Sequence, residues 1–274
     1  MTDTREAPAT DARSNRSTGG YIWYELMTSD AEGAKAFYEA VVGWSIGEPI
    51  PEASGYRMIG RSDGGFAGGV LPISDDMREH GSRPGWLGYV HVADVDRAVR
   101  EIEQAGGRTW MPPTDIAMAG RIALVTDPQA APFYVMTPTP PEGNPDAQSD
   151  VFATDAVQRC GWNELQTSDV DAARRFYQEQ FGWGSDEFMD MGEMGQYRFF
   201  DHEGTRIGAL FNASNGQMPH WRYYFRVPSI AAAKRTAEEK GGTIHMGPHQ
   251  VPTGDWVIIG SDPQGAEFAL VGGE

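Results

Sequence analysis

Residues 23–44 read WYELMTSDAEGAKAFYEAVVGW, and residues 162–183 read WNELQTSDVDAARRFYQEQFGW. Eleven of the twenty-two positions are identical, among them both tryptophans, the Glu-Leu, the Thr-Ser-Asp, the Phe-Tyr and the closing Gly. Both ends of the repeat are displaced by 139 residues. A period that long marks tandem domains, because solenoid repeats return every ~20–50 residues. Each copy predicts a strand, a capped helix and a glycine turn into another strand. In the first copy Ser29 is the expected N-cap, with Glu32 completing a capping box. Ala34, Phe37, Tyr38, Val41 and Val42 recur at helical spacing as an apolar stripe, and Gly43 ends the helix. In the second copy Ser168 and Asp171 take the capping positions, and Ala173, Phe176, Tyr177 and Phe181 supply the stripe.

Short β-rich runs follow in both halves, around Tyr56–Ile59 and Phe66–Leu71, and around Tyr197–Phe200 and Ile207–Phe211. A second repeat then lies inside each half, at an offset of 135. It matches Trp86 with Trp221, Tyr89 with Tyr224, Gly106-Gly107 with Gly241-Gly242, and Asp127-Pro128-Gln129 with Asp262-Pro263-Gln264. The chain therefore predicts four βαβββ units, paired two and two. Residues 1–20 hold no aromatic or long aliphatic side chain after Met1 and are expected to form a disordered tail. Domain 1 is expected over 21–137, a proline-rich linker over 138–158, and domain 2 over 159–274.

A chain of 274 residues suits two domains. The net charge of −17 opposes nucleic-acid backbones and anionic membrane surfaces, and weakly favours a cationic small molecule; its plain reading is solubility. No apolar run approaches the ~18 residues of a membrane span, and the polar N-terminus is no secretory signal. The single cysteine, Cys160, permits no internal disulfide and suits a reducing cytoplasm. It reads as a small residue of the core or of a strand start. The expected partner is a small-molecule ligand, with no nucleic acid and no membrane, and the expected state is a cytoplasmic monomer or homodimer.

The four βαβββ units, the repeated TSD…FY…GW and the two DPQ turns resemble the vicinal oxygen chelate superfamily of glyoxalase I, bleomycin-resistance proteins and extradiol dioxygenases. Within it they look most like the two-domain branch of mycobacterial culture-filtrate-antigen-like proteins. The resemblance implies an α+β fold of tandem glyoxalase-like domains, each a cup-shaped mixed sheet. In metal-dependent members a divalent ion sits in the cup, and the family pattern sets its first-strand ligand at Trp23 and Trp162. The other implied positions hold Gly88 and Tyr223, and Tyr134 and Ala269. An indole has no free lone pair, and none of the others is a carboxylate, imidazole or thiolate. The expected cofactor is accordingly none. The alternative is a divalent-metal enzyme of glyoxalase or dioxygenase type with displaced ligands, for instance Glu25 or Glu164 with a histidine.

Strand alternation puts Trp23, Glu25 and Met27 on one face, and Trp162, Glu164 and Gln166 on one face. The resemblance makes that face concave and adds Trp86, Gly88, Val90 and Tyr134, then Trp221, Tyr223 and Phe225. The candidate ligand-binding residues are thus Trp23, Trp86, Tyr134, Trp162, Trp221, Tyr223 and Phe225, with Glu25 and Glu164 as anchors or general bases. Each has a structural counterpart: the aromatics as sheet packing, the carboxylates as ion pairs with Arg57 or Arg198. The leading expectation is a protein that binds an aromatic or amphipathic small molecule. A third reading makes one cup a degenerate packing surface. His245 and His249, four apart in a strand-to-loop segment, do not form a helical metal pair; most of the histidines read as loop or surface residues, with the mouth of a cup the alternative for His249.

Overall fold

A computed structural model describes residues 18–144, 147–213 and 216–274. The expected tail lies outside the described residues as far as residue 17. Gly19 and Gly20 already pair with the chain, since Gly19 N donates to His91 O and His91 N donates to Gly20 O. In the first half β1 (Tyr21–Thr28), α1 (Ala31–Val42), β2 (Ser45–Ile46), β3 (Arg57–Gly60) and β4 (Phe66–Pro72) form one unit. After the short helix α2 (Asp75–Glu79) come β5 (Gly85–His91), α3 (Val95–Gln104), β6 (Arg108–Ile116), β7 (Gly120–Thr126) and β8 (Pro132–Pro138). The second half repeats this with β9 (Cys160–Thr167), α4 (Val170–Phe181), β10 (Phe188–Asp190), β11 (Gln196–His202) and β12 (Thr205–Asn212). Its last unit is β13 (His220–Ser229), α5 (Ile230–Glu239), β14 (Thr243–Gln250), β15 (Trp256–Ser261) and β16 (Glu267–Gly273).

Each half makes one eight-stranded sheet, ordered β2-β3-β4-β1-β5-β8-β7-β6 and β10-β11-β12-β9-β13-β16-β15-β14. The sheets are mixed, because β1 runs parallel to β4 and antiparallel to β5. No helix among the described residues is long and apolar enough to cross a membrane.

The helix stripes are buried as their spacing predicts: Ala34, Phe37, Tyr38, Val41 and Val42 on α1, and Ala173, Phe176, Tyr177 and Phe181 on α4. The caps fall one residue later than expected. Asp30, not Ser29, accepts from Gly33 N, and Asp169, not Ser168, accepts from Ala172 N. The reason is geometric, since a capping oxygen must reach the amide three residues on, and the helices begin at Ala31 and Val170. Glu32, released from the capping box, pairs instead with Arg57. Gly43 ends α1 at φ 81°, the left-handed region that glycine enters at no steric cost.

The two halves lock together through a pair of reciprocal clamps. Tyr38 on α1 donates to Asp262 Oδ2 at 3.0 Å, across the domain boundary, and accepts from Trp86 Nε1 at 3.1 Å. Tyr177 on α4 donates to Asp127 Oδ2 at 3.1 Å and accepts from Trp221 Nε1 at 3.0 Å. The other oxygen of each aspartate closes its own DPQ turn, Asp127 accepting from Gln129 N and Ala131 N, and Asp262 from Gln264 N and Ala266 N. Each Asp-Pro-Gln motif is thus a turn whose spare carboxylate oxygen receives the "FY" tyrosine of the other half. The end of the connecting segment joins the same core: Gln158 accepts from Ser62 N and Ser62 Oγ through its amide oxygen, and its carbonyl accepts from Trp44 Nε1. Cys160 is the buried first residue of β9.

Where β4 meets β1, and where β12 meets β9, one glycine on β4 and one on β12 have no space for a side chain. A Cβ on Gly68 would stand 1.9 Å from Tyr24 O, and one on Gly208 2.0 Å from Asn163 O. Gly68→Ala is therefore expected to cost about 1–3 kcal/mol, read as a lowered denaturation midpoint in urea with an unchanged slope.

Candidate functional site

Sheet register decides which residues share a cup. In the first sheet Glu25 lies opposite Leu87 and Trp23 opposite Tyr89, while Glu25 pairs on its other side with Gly69. Tyr89 in turn pairs with Tyr134. Directly opposed residues point to the same face. The concave floor is therefore Trp23, Glu25, Leu87, Tyr89 and Tyr134, with Tyr56 reaching in from the segment before β3. Leu87, Met111, Leu124 and Met136 pack around this group as a half-exposed apolar wall.

The same register corrects four of the expected ligand residues. Trp86, Trp221, Tyr223 and Phe225 occupy the opposite parity of β5 and β13 and lie in the core between the halves. Trp86 and Trp221 donate to the clamp tyrosines. The Tyr223 hydroxyl accepts from Gly88 N at 2.8 Å, and the Phe225 ring lies 4.6 Å from Trp86 and 4.9 Å from Trp44. Alternation within a strand says which residues go together, but not which set faces the helices. Both parities of these strands carry aromatics, so composition did not break the tie.

Glu25 is 3% exposed. Its Oε2 accepts from Tyr89 at 2.8 Å, and its Oε1 has no hydrogen-bond partner among the described residues. Burial raises its pKa to about 7, while hydrogen bonding from Tyr89, Tyr56 and Tyr134 holds it from rising further. Trp23 Nε1 donates to Tyr56 Oη at 2.7 Å, so the indole orients a phenol that bears on the carboxylate. Gly69 makes this possible, since a Cβ there would lie 2.0 Å from the Tyr56 hydroxyl oxygen. Tyr89 and Tyr134 stack with ring centroids 4.2 Å apart.

The second cup repeats the plan with one change of charge. Trp162 Nε1 donates to Tyr197 Oη at 2.8 Å, and Tyr197 donates to Glu164 Oε2 at 2.8 Å. Tyr224 donates to Glu164 Oε1 at 2.9 Å. Opposite Glu164, where the first cup has Leu87, stands Arg222. Its Nη1 donates to Glu164 Oε1 at 2.8 Å, and its Nε and Nη2 hold Glu267 at 2.8 and 3.1 Å. The arginines expected to pair with the two glutamates do not. Arg57 holds Glu32, and Arg198 lies 3.9 Å from Asp171. Their rows across the sheet run through Val70 and Leu26, and through Leu210 and Leu165, on the helix-facing side. Residue types alone missed Tyr56, Tyr89, Tyr197, Tyr224 and Arg222. The pairing of Tyr89 with Tyr224 in the internal repeat was the available signal.

A cavity of 520 Å³ opens at the mouth of the second cup, lined by Met189 and Met191 on one side and His249, Gln250, Val251, Pro252 and Gly254 on the other. Met189 pairs with Tyr197 and His249 with Val257, both facing inward, so the two edge strands approach across the cup. His249 lines that mouth.

The residues on the two floors do not fit a divalent-metal site. The first floor offers one carboxylate, Glu25, surrounded by phenols and an indole; in the second, Glu164 and Glu267 are both already held by the Arg222 guanidinium, with His220 3.4 Å from Glu267. Among the described residues no three His, Cys, Asp or Glu side chains cluster as a metal site. Structural or catalytic divalent ions need about three or more such donors.

Comparison with known proteins gives the same fold and places the chain among relatives. It is 30% identical over 264 residues to CFP32 of Mycobacterium tuberculosis, a protein bearing the name of a glyoxylase, covering 94% of this chain and 97% of that one. It is 29% identical over 267 residues to the anthracycline biosynthesis protein DauV of a Streptomyces species, covering 92% of this chain and 93% of that one. Homoprotocatechuate 2,3-dioxygenase of Brevibacterium fuscum, in complex with 3,4-dihydroxyphenylacetate, shares the fold with a TM-score of 0.62 at 17% identity, over 97% of this chain and 83% of that one. The profile of the Glyoxalase/Bleomycin resistance protein/Dioxygenase superfamily matches residues 20–131 and 158–270, one stretch for each cup, and the chain belongs to that superfamily.

Proposed function

We propose that this protein binds an aromatic or amphipathic small molecule in its cups without the divalent metal usual in the superfamily. The observation that carries the reading is the tryptophan–tyrosine–glutamate chain on each floor. The first-strand positions where the family sets a metal ligand hold Trp23 and Trp162, and both indole N–H groups are spent on orienting a tyrosine beside a glutamate. Such a floor recognises a ligand by stacking, apolar contact and hydrogen bonding. The 520 Å³ cavity at the second mouth is large enough for a flat molecule of several rings. DauV is named for the biosynthesis of anthracyclines, and that similarity supports a polycyclic aromatic as the class of ligand. Glu25 and Glu164 anchor polar groups of that ligand, and Glu25 is the better placed to exchange a proton near neutrality.

Elemental analysis of protein purified without added metal is expected to find no stoichiometric transition metal. Prolonged chelation is expected to leave both the melting temperature and the affinity for a polycyclic aromatic probe unchanged. One equivalent of Mn, Fe, Ni or Zn per cup, lost together with ligand binding on chelation, would overturn the reading in favour of a metal enzyme.

A further inference from the structure

The two cups carry the same carboxylate with different complements. Across β9 and β13 the protein supplies Glu164 with its own cation, the Arg222 guanidinium at 2.8 Å. Across β1 and β5 the same register position is Leu87, and among the described residues no cationic side chain meets Glu25 in a hydrogen bond or ion pair. Glu25 is nonetheless the more deeply buried of the two, 3% exposed against 7%, and its Oε1 has no hydrogen-bond partner among the described residues. Around it stand Trp23, Tyr56, Tyr89 and Tyr134. Aromatic faces and an uncompensated carboxylate are the combination that takes an organic cation out of water.

On the reading that the cups bind small molecules, we propose that the first cup is specific for a ligand bearing an ammonium or amidinium group, which occupies the place that Arg222 fills in the second cup. The second cup thus displays, within the same molecule, the contact that the first makes with its ligand: a positively charged N–H donor on the free carboxylate oxygen. The apolar remainder of the ligand lies along Leu87, Met111 and Met136, half-exposed side chains that pack against the Tyr89–Tyr134 pair. Methionine is suited to such a wall because its unbranched chain adapts to the occupant. The net charge of −17 favours the approach of a cation and disfavours an anion of the same shape. Because Arg222 already saturates Glu164, the second cup holds no equivalent vacancy for charge, and the stoichiometry for the charged ligand is one per chain.

The test compares 2-naphthylmethylamine with its neutral isostere 2-naphthylmethanol by titration calorimetry on the full chain. The amine is expected to bind about tenfold or more tightly than the alcohol, as a charge-assisted hydrogen bond implies. Glu25→Gln is expected to level the two affinities. Leu87→Arg, which builds the second cup's ion pair into the first, is expected to do the same. Equal affinities in the unmodified protein, or a preference that survives either Glu25→Gln or Leu87→Arg, would overturn the proposal while leaving small-molecule binding in place. If neither probe binds at millimolar concentration, the proposal falls together with the reading on which it rests.

Discussion

Replacing Arg222 by methionine is expected to destabilise the protein by about 3 kcal/mol at neutral pH, because it leaves the buried Glu164 and the part-exposed Glu267 without their shared cation. Methionine keeps most of the side-chain volume, so the loss reports charge and not a cavity. The effect has a defined pH window. Burial alone would raise the pKa of Glu267, but hydrogen bonds and charge from His220 and Arg222 bring it down to about 2. A carboxylate whose folded pKa is depressed adds stability that is fully present above its unfolded value near 4.5 and is lost as pH falls toward 2. The gap between the variant and the parent protein is therefore expected to be widest above about pH 4.5 and to narrow in acid. Urea denaturation across that range measures it. The double variant Arg222→Met, Glu164→Gln is expected to recover part of the loss, since it removes one of the stranded charges. A deficit below about 1 kcal/mol that does not change with pH would show Arg222 to be an ordinary surface pair.

Glu25→Gln is expected to act in the opposite sense. The folded pKa of Glu25 is about 7 against an ordinary 4.5, so between those values the native state holds a proton that the unfolded chain has released. Stability then falls as pH rises through that window. The full penalty, about 3 kcal/mol for a shift of that size, is present above pH 7. Glutamine can still accept from Tyr89 and carries no charge, so the variant is expected to match the parent protein near pH 4.5 and to exceed it in stability by ~2–3 kcal/mol at pH 8. Asp127 and Asp262, whose burial also raises their pKa, tilt both proteins the same way, and the difference between the two curves isolates Glu25. Parallel curves would mean that Glu25 is hydrated or paired in solution. Together the two substitutions mark the division of labour between the cups: one stabilises itself through its own ion pair, and the other carries an uncompensated carboxylate.

The repeated stretch from Trp23 to Trp44 made the architecture legible before any coordinates. Helical spacing of Phe37 and Tyr38 with their apolar neighbours, glycine at the helix end, and a strict offset between copies are local signals, set by backbone geometry and by the period of an amphipathic helix. They were enough for four βαβββ units in two tandem domains, and for Glu25 and Glu164 as the carboxylates of the strand centres. Strand parity was not legible. Tyr24 and Trp23, or Trp86 and Tyr89, are equally suited to a buried face, and only the antiparallel register of β1 with β5 assigns Trp86 to the clamp on Tyr38 and Tyr89 to the cup. The partner of each glutamate was out of reach for the same reason. Glu164 meets Arg222 at a sequence separation of 58, and whether that arginine or a leucine stands opposite is a matter of pairing between distant strands. Residue spacing carries what neighbours along the chain enforce on one another. Charge balance at a cup floor is set by side chains that meet only when the sheet closes around them.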